Sequence, residues 1–255
     1  MTRIIAVANE KGGVGKTVTV LNLGAALSKR GRSVLFIDMD PQANTTKGLG
    51  IVAEDVSAST YDLIREPPAA TGAQVVMATR WEGLSLIPAH TDLAGAEVEL
   101  VDVEGRENRL KKALAGLEPS YDFILLDTPP SLSLLTVNVF AYAEEVIVPC
   151  QTHPYAFDAL EELFDTIGAI RAEINPQLRI AGILATMFDP RTRVSRRILD
   201  KLKSDPRYQG LLFDTVIRAN TTIADSADVG KPVVFYRTTS YGADDYHRFA
   251  QELSA

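Results

Sequence analysis

The chain has 255 residues, 46% of them hydrophobic, which is enough for one sizeable core. Its net charge of -7 argues against a surface that is basic throughout, so any nucleic-acid contact must come from a local patch. Cys150 is the only cysteine, which excludes an intrachain disulfide and points to a reducing, cytoplasmic compartment, while His90, His153 and His247 show no metal-ligand spacing.

Residues 3–9 are an apolar, β-branched-rich run and the first expected strand. That run is too short for a secretory signal. A helix follows over 16–30, stopped by Gly31. Residues 33–38 read as a strand. The stretch 48–81 has weak periodicity and contains Pro67-Pro68, so it reads as a peripheral excursion and not as an interdomain linker. A strand over 84–88 precedes a helical pattern over 91–117, with a break expected near Gly105. The remaining strands are expected at 122–127, 145–149, 179–187 and 213–217. The remaining helices are expected at 132–142, 155–174, 192–204 and 243–253. Several strands are nearly continuous hydrophobics, as in Ile124-Leu125-Leu126, the pattern of parallel strands buried on both faces. The alternation predicts an α/β fold: a doubly wound, mostly parallel sheet with helices on both faces, in a single domain over residues 1–255. No apolar stretch approaches the ~20 residues of a membrane span.

Between the first strand and the first helix lies Lys11-Gly12-Gly13-Val14-Gly15-Lys16-Thr17. Glycines there let backbone N–H groups close around phosphate oxygens, and the helix N-terminus adds its dipole. Lys16 would reach the β- and γ-phosphates of ATP, and the Thr17 hydroxyl would hold Mg²⁺. The strict G-x-x-x-x-G-K-[ST] pattern fails, because Glu10 stands at its first glycine; this is a deviant P-loop. A plain Gly-rich turn is the competing reading, and the strand, glycines, Lys-Thr pair and helix in register argue against it. The extra Lys11 reads either as a solvated loop charge or as a cation that neutralises a transferring phosphoryl group.

A phosphate–Mg²⁺ site needs carboxylates at neighbouring strand ends. Asp127 follows Phe123-Ile124-Leu125-Leu126 and suits a carboxylate that holds Mg²⁺ directly or through water. The stiff Thr128-Pro129-Pro130 after it suits a segment that senses the γ-phosphate. Asp38 and Asp40 end the second expected strand. Asp40 is the candidate for orienting the attacking water near the metal. Asp38 holds either the loop or a metal-bound water. An ordinary Asp-Pro turn is the bland alternative.

Four blocks, KGGVGKT (11–17), DMDPQAN (38–44), YDFILLDTPPSL (121–132) and ADSADVGKP (224–232), resemble the ParA/Soj branch of the deviant-Walker-A ATPases, relatives of MinD. The resemblance covers essentially the whole chain. It implies a P-loop NTPase that uses ATP and Mg²⁺, with Lys11, Gly12, Gly13, Val14, Gly15, Lys16, Thr17 and Val18 around the nucleotide. It implies a homodimer on ATP binding, in which Lys11 reaches the partner's ATP and Gly12 must stay small. Thr17, Asp40 and Asp127 would surround the metal, and Lys11, Lys16 and Asp40 would support hydrolysis. The adenine would lie near Met187, Ile217 and Asn220. Non-specific DNA and a ParB-type activator are the implied partners, and a nucleoid-associated place in the cytoplasm the implied location.

Departures from the family pattern are Val18, where a threonine is usual, and Thr221-Thr222 after Asn220, where a basic residue is frequent. The loop begins within the first dozen residues, so no helix-turn-helix extension and no site-specific operator binding are expected. Arg191, Arg193, Arg196, Arg197, Lys201, Lys203 and Arg207 form a dense basic segment, offset in part by Asp189, Asp200 and Asp205. Arg218 ends the next strand. Helical spacing puts several of these cations loosely on one face. A solvated helix face and a DNA-phosphate surface fit that spacing equally, and the resemblance favours DNA.

Three alternatives stay in view. A MinD-like membrane protein would want a basic amphipathic tail, whereas residues 241–255 carry Asp244, Asp245 and Glu252 against Arg248, so core packing is expected there. A metabolic enzyme on the same scaffold would need a small-substrate pocket or paired cysteines. A relative that positions a protein cargo would share all the chemistry.

Overall fold

The computed structural model describes residues 1–254. Eight strands are present: β1 (Arg3–Val7), β2 (Val34–Asp38), β3 (Met77–Ala78), β4 (Leu84–Ile87), β5 (Phe123–Asp127), β6 (Glu145–Gln151), β7 (Arg179–Phe188) and β8 (Leu212–Arg218). They form one sheet in the order β3-β4-β2-β5-β1-β6-β7-β8. The pairings are parallel except β3 with β4. The doubly wound, mostly parallel sheet expected from the sequence is therefore present.

Alternate strand residues serve opposite faces. Ile4, Ala6, Leu35, Ile37, Ile124 and Leu126 belong to one buried cluster, with Leu135, Val139 and Leu160 from the helices Leu134–Tyr142 and Ala156–Glu173. Ile5, Val7, Val34, Phe36 and Leu125 belong to the other, with Leu23 and Phe249 from the helices Lys16–Ser28 and Tyr241–Leu253. Both faces are covered, which is why these strands read as continuous hydrophobics. Gly24 is the point of closest approach: a Cβ there would lie 2.2 Å from the Phe36 ring.

The expected helix over 91–117 is broken as predicted, into Leu93–Glu99 and Arg109–Leu114, with Gly105 left-handed at φ 70° between them. The excursion at 48–81 contains the short helices Thr60–Ile64 and Gly72–Val75 and the edge strand β3, which was not expected; two residues are too few to show a period. The helices Asn44–Gly48, Thr221–Asp228 and Val233–Tyr236 were also not expected. The terminal helix Tyr241–Leu253 buries Ala243, Tyr246, Phe249 and Leu253, the core packing expected of it.

Register fixes the site. Val7 pairs with Asp127, and Asp127 pairs with Asp38, so the ends of β1, β5 and β2 lie level. The segment after β1 thus meets both carboxylates on one edge of the sheet.

Candidate nucleotide site and basic helix

The loop after β1 is shaped by two left-handed glycines, Gly13 at φ 74° and Gly15 at φ 92°, the latter capping the helix Lys16–Ser28. Asn9 braces its start: Oδ1 accepts from Lys11 N at 2.9 Å, and Nδ2 donates to the Pro149 carbonyl at 2.8 Å. Lys16 is buried and its Nζ donates back across the loop to the Lys11 carbonyl at 3.3 Å. Burial lowers the Lys16 pKa, against the pull of Asp127 and Asp40. Lys11 is half-buried. A Cβ on Gly12 would meet only Pro130 Cβ, at 3.9 Å, so nothing in this chain's own packing demands glycine there.

Asp127 is fully buried and still well bonded. Its Oδ2 accepts from Thr17 Oγ1 at 2.7 Å and Thr45 Oγ1 at 2.8 Å, and its Oδ1 from Thr128 N at 3.1 Å. Burial, and then the neighbouring Asp38, raise its pKa to about 7. Asp38 accepts from Asp40 N at 3.2 Å, Thr46 N at 2.9 Å and Thr46 Oγ1 at 2.8 Å. Burial raises its pKa to about 6 in spite of those bonds. Of the two roles left open for Asp38, these bonds serve the loop. Asp40 is 6% exposed, and its Oδ1 accepts from Gln42 N at 2.9 Å, a turn that also fits the bland alternative for this segment. Its charge also acts on Lys16, where it opposes the effect of burial.

Thr45 and Thr46 were missed by the sequence reading. Ala43, left-handed at φ 53°, turns the chain into the short helix Asn44–Gly48 and aims both hydroxyls at the carboxylates. The available signal was the Thr-Thr pair directly after the acidic block.

Beside the loop opens an apolar cleft of about 400 Å³, lined by Val18, Met187, Ile217, Asn220, Ile223 and Tyr246 among others. The structure thus brings the expected base-contact residues to the C-terminal side of the loop, with Gly15 in the wall. Val18 lines this cleft. Asn220 Oδ1 accepts from Thr222 N at 2.9 Å and caps the helix Thr221–Asp228. Ile223 and Tyr246 were not anticipated, because they come from helices whose placement no local pattern reveals.

The helix Arg193–Ser204 buries Ser195, Ile198, Leu199 and Leu202 and exposes Arg193, Arg196, Arg197, Lys201 and Lys203. Lys201 Nζ stands 4.0 Å from the centre of the Phe157 ring. Arg191 chelates Asp189 through Nε and Nη2, each at 2.9 Å, and holds that carboxyl down at about 2, yet its side chain is 87% exposed. Arg218 is different. It bonds the buried Asp245 carboxylate at 3.0 Å through Nε, reaches Asp244 at 3.3 Å, and stacks 4.4 Å from the Tyr241 ring centre. It lies in the wall of the cleft, paired with Asp245 and 29% exposed, apart from the exposed cations of the helix.

Residues 2–180 match the family described as AAA domain. The sporulation initiation inhibitor protein Soj of Bacillus subtilis (strain 168) is 41% identical over 255 residues, covering 100% of this chain and 99% of that protein. The chain belongs to the ParA/Soj family of P-loop ATPases. The chromosome partitioning protein ParA of Myxococcus xanthus is 38% identical, over 98% of this chain and 87% of its own length. Among solved structures, one titled cobyrinic acid a,c-diamide synthase from Mycobacterium smegmatis, with bound ATP analog and magnesium, is 36% identical with a TM-score of 0.84, covering 98% of this chain and 93% of its own.

The residues of this ParA-family chain fit a nucleotide and a hard cation. A buried carboxylate touches a Thr hydroxyl at the first turn of the loop helix, and a buried ammonium spans the loop. Among the described residues no three His, Cys, Asp or Glu side chains converge into a cage. A cation here would therefore draw most of its ligands from phosphate and water, as Mg²⁺ does at such sites. Cys150 is buried and its thiol is pushed up to about 12 by burial, which disfavours the thiolate.

Proposed function

We propose that the whole chain is one Mg²⁺-dependent ATPase domain that dimerises around ATP, binds DNA without sequence preference, and is released when a ParB-type partner stimulates hydrolysis. The service is DNA segregation, in the cytoplasm over the nucleoid. The observation that carries this reading is the Thr17–Asp127–Thr45 cluster, level with a deviant P-loop whose extra cation is Lys11.

Each residue has a place in this reading. Backbone N–H groups of 12–17 and Lys16 hold the β- and γ-phosphates, and Met187, Ile217 and Asn220 border the base. Thr17 and Asp127, with Asp40 nearby, hold Mg²⁺, which offsets phosphate charge when bound. Asp40 orients the attacking water. Lys11 reaches the partner's nucleotide, and the open space around Gly12 supports an intermolecular reason for its small size. Arg191, Arg193, Arg196, Arg197, Lys201 and Lys203 meet DNA phosphates, with Arg218 at the end of β8 in the same set.

ATP turnover with and without DNA and partner tests the reading. Lys16→Ala is expected to lose nucleotide binding. Asp40→Ala is expected to keep ATP and the dimer and to stop hydrolysis; normal turnover by that variant would remove Asp40 from its role. The name of the Mycobacterium smegmatis structure raises an amide-forming enzyme instead. Turnover that needs only DNA and a protein partner, with no small-molecule acceptor, separates the two.

A further inference from the structure

Three buried hydroxyls run from the phosphate loop to the basic helix. Thr186 Oγ1 donates to the Val14 carbonyl inside the loop at 2.8 Å. The Thr186 carbonyl accepts from Thr152 N at 3.1 Å. Thr152 Oγ1 lies 2.6 Å from Ser195 Oγ and 3.3 Å from the Met187 carbonyl. Ser195 Oγ also accepts from Asp189 N at 3.1 Å, and Ser195 N donates to Thr192 Oγ1, the cap of the helix Arg193–Ser204, at 3.3 Å. Thr186, Thr152 and Ser195 are 2%, 6% and 4% exposed.

The protons have a consistent order. In the order that satisfies every group, Ser195 Oγ accepts from Asp189 N and gives its own proton to Thr152, and Thr152 donates to the Met187 carbonyl. Every hydroxyl is then satisfied, and a satisfied buried network fixes one arrangement of the elements it joins. Met187 gives the network a second contact with the nucleotide site. It is left-handed at φ 53°, sits where the β7–β8 register slips between Ala185 and Phe188, and lines the cleft beside the loop. A non-glycine residue in that conformation persists only when its surroundings hold it. Thr152 holds it by the carbonyl.

We propose that Thr152 is a positioning residue that couples occupancy of the nucleotide site to the seating of the basic helix within one chain. A nucleotide orders the loop at Val14 and presses on Met187. Both contacts converge on Thr152, and Thr152 passes the change to Ser195 in the first turn of the helix, beside Arg193, Arg196 and Arg197. The inference rests on the proposed nucleotide site; its consequence for DNA rests on the proposed DNA surface.

Hydrogen–deuterium exchange on the full chain, without nucleotide and with a non-hydrolysable ATP analogue, tests it directly. In the wild type the analogue slows exchange both in the loop, residues 10–20, and in the helix, residues 193–204. Thr152→Val keeps the slowing at the loop and an analogue affinity within about threefold of wild type, but loses it at the helix. Ser195→Ala gives the same split with a smaller change in packing, and Thr152→Ser restores the wild-type pattern. No nucleotide effect at the helix in the wild type would overturn the proposal, as would its persistence in both Thr152→Val and Ser195→Ala. In a parallel DNA titration, Thr152→Val reduces the ATP-dependent gain in affinity by about fivefold or more. A wild type that never binds DNA would remove the functional reading, and the exchange data would still decide the coupling.

Discussion

At the scale of residues, the site turns on a carboxylate that is buried before any cation reaches it. Asp127 has its pKa raised from 3.8 to about 7. A raised carboxyl binds more protons folded than unfolded, so its contribution makes the nucleotide-free protein less stable as pH rises from about 4 to about 7. Asp127→Asn removes that contribution. The variant is expected to unfold at higher denaturant than the wild type at pH 8, and the gap is expected to close as pH falls toward 4; urea titrations at several pH values check this. The same variant is expected to lose Mg²⁺-dependent nucleotide affinity by about tenfold or more, since it has no charge to offer. Thr45→Val leaves Asp127 with one hydroxyl fewer. It is expected to lower stability by about 1 kcal/mol and to weaken Mg²⁺-dependent binding, measured by thermal melts and calorimetry.

At the scale of elements, two glycines make a contrast. Gly24→Ala puts a Cβ into the Phe36 ring and is expected to destabilise by about 1–3 kcal/mol, seen in the denaturant midpoint. Gly12→Ala meets only Pro130 Cβ at 3.9 Å. It is expected to leave the monomer's stability within about 0.5 kcal/mol and to impair ATP-dependent dimerisation, read by sedimentation. The arginines divide similarly. Arg196→Ala is expected to weaken DNA binding and reduce the salt slope by about 1, with the fold intact. Arg218→Ala strips the partner from Asp245, whose side chain is only 4% exposed, and is expected to destabilise by about 1–3 kcal/mol. Much of this was legible beforehand. Ile124-Leu125-Leu126 and the Lys-Thr after the glycines carry their meaning locally, through period and backbone chemistry. Thr45, the place of Tyr246 in the cleft and the ion pair of Arg218 were not legible. Each depends on which distant element packs beside it: Thr45 is 82 residues from Asp127, and Arg218 is 27 from Asp245. The edge strand β3 is too short to have a period at all.

At the scale of the whole molecule, an acidic chain of net charge -7 carries an exposed row of cations on one helix. Phosphate contacts from two such helices, one in each protomer, would give binding that falls steeply with salt. The apolar side of the terminal helix is spent on the core. No helix among the described residues is long and apolar enough to cross a membrane. On the proposed function, the loop, the paired carboxylates and the basic helix together would make a device whose grip on DNA depends on its nucleotide. The measurement closest to that claim is a DNA titration at low salt with ATP, with ADP and without nucleotide. Binding with ATP and its loss in the other two states is the predicted result. Equal binding in all three states would contradict it.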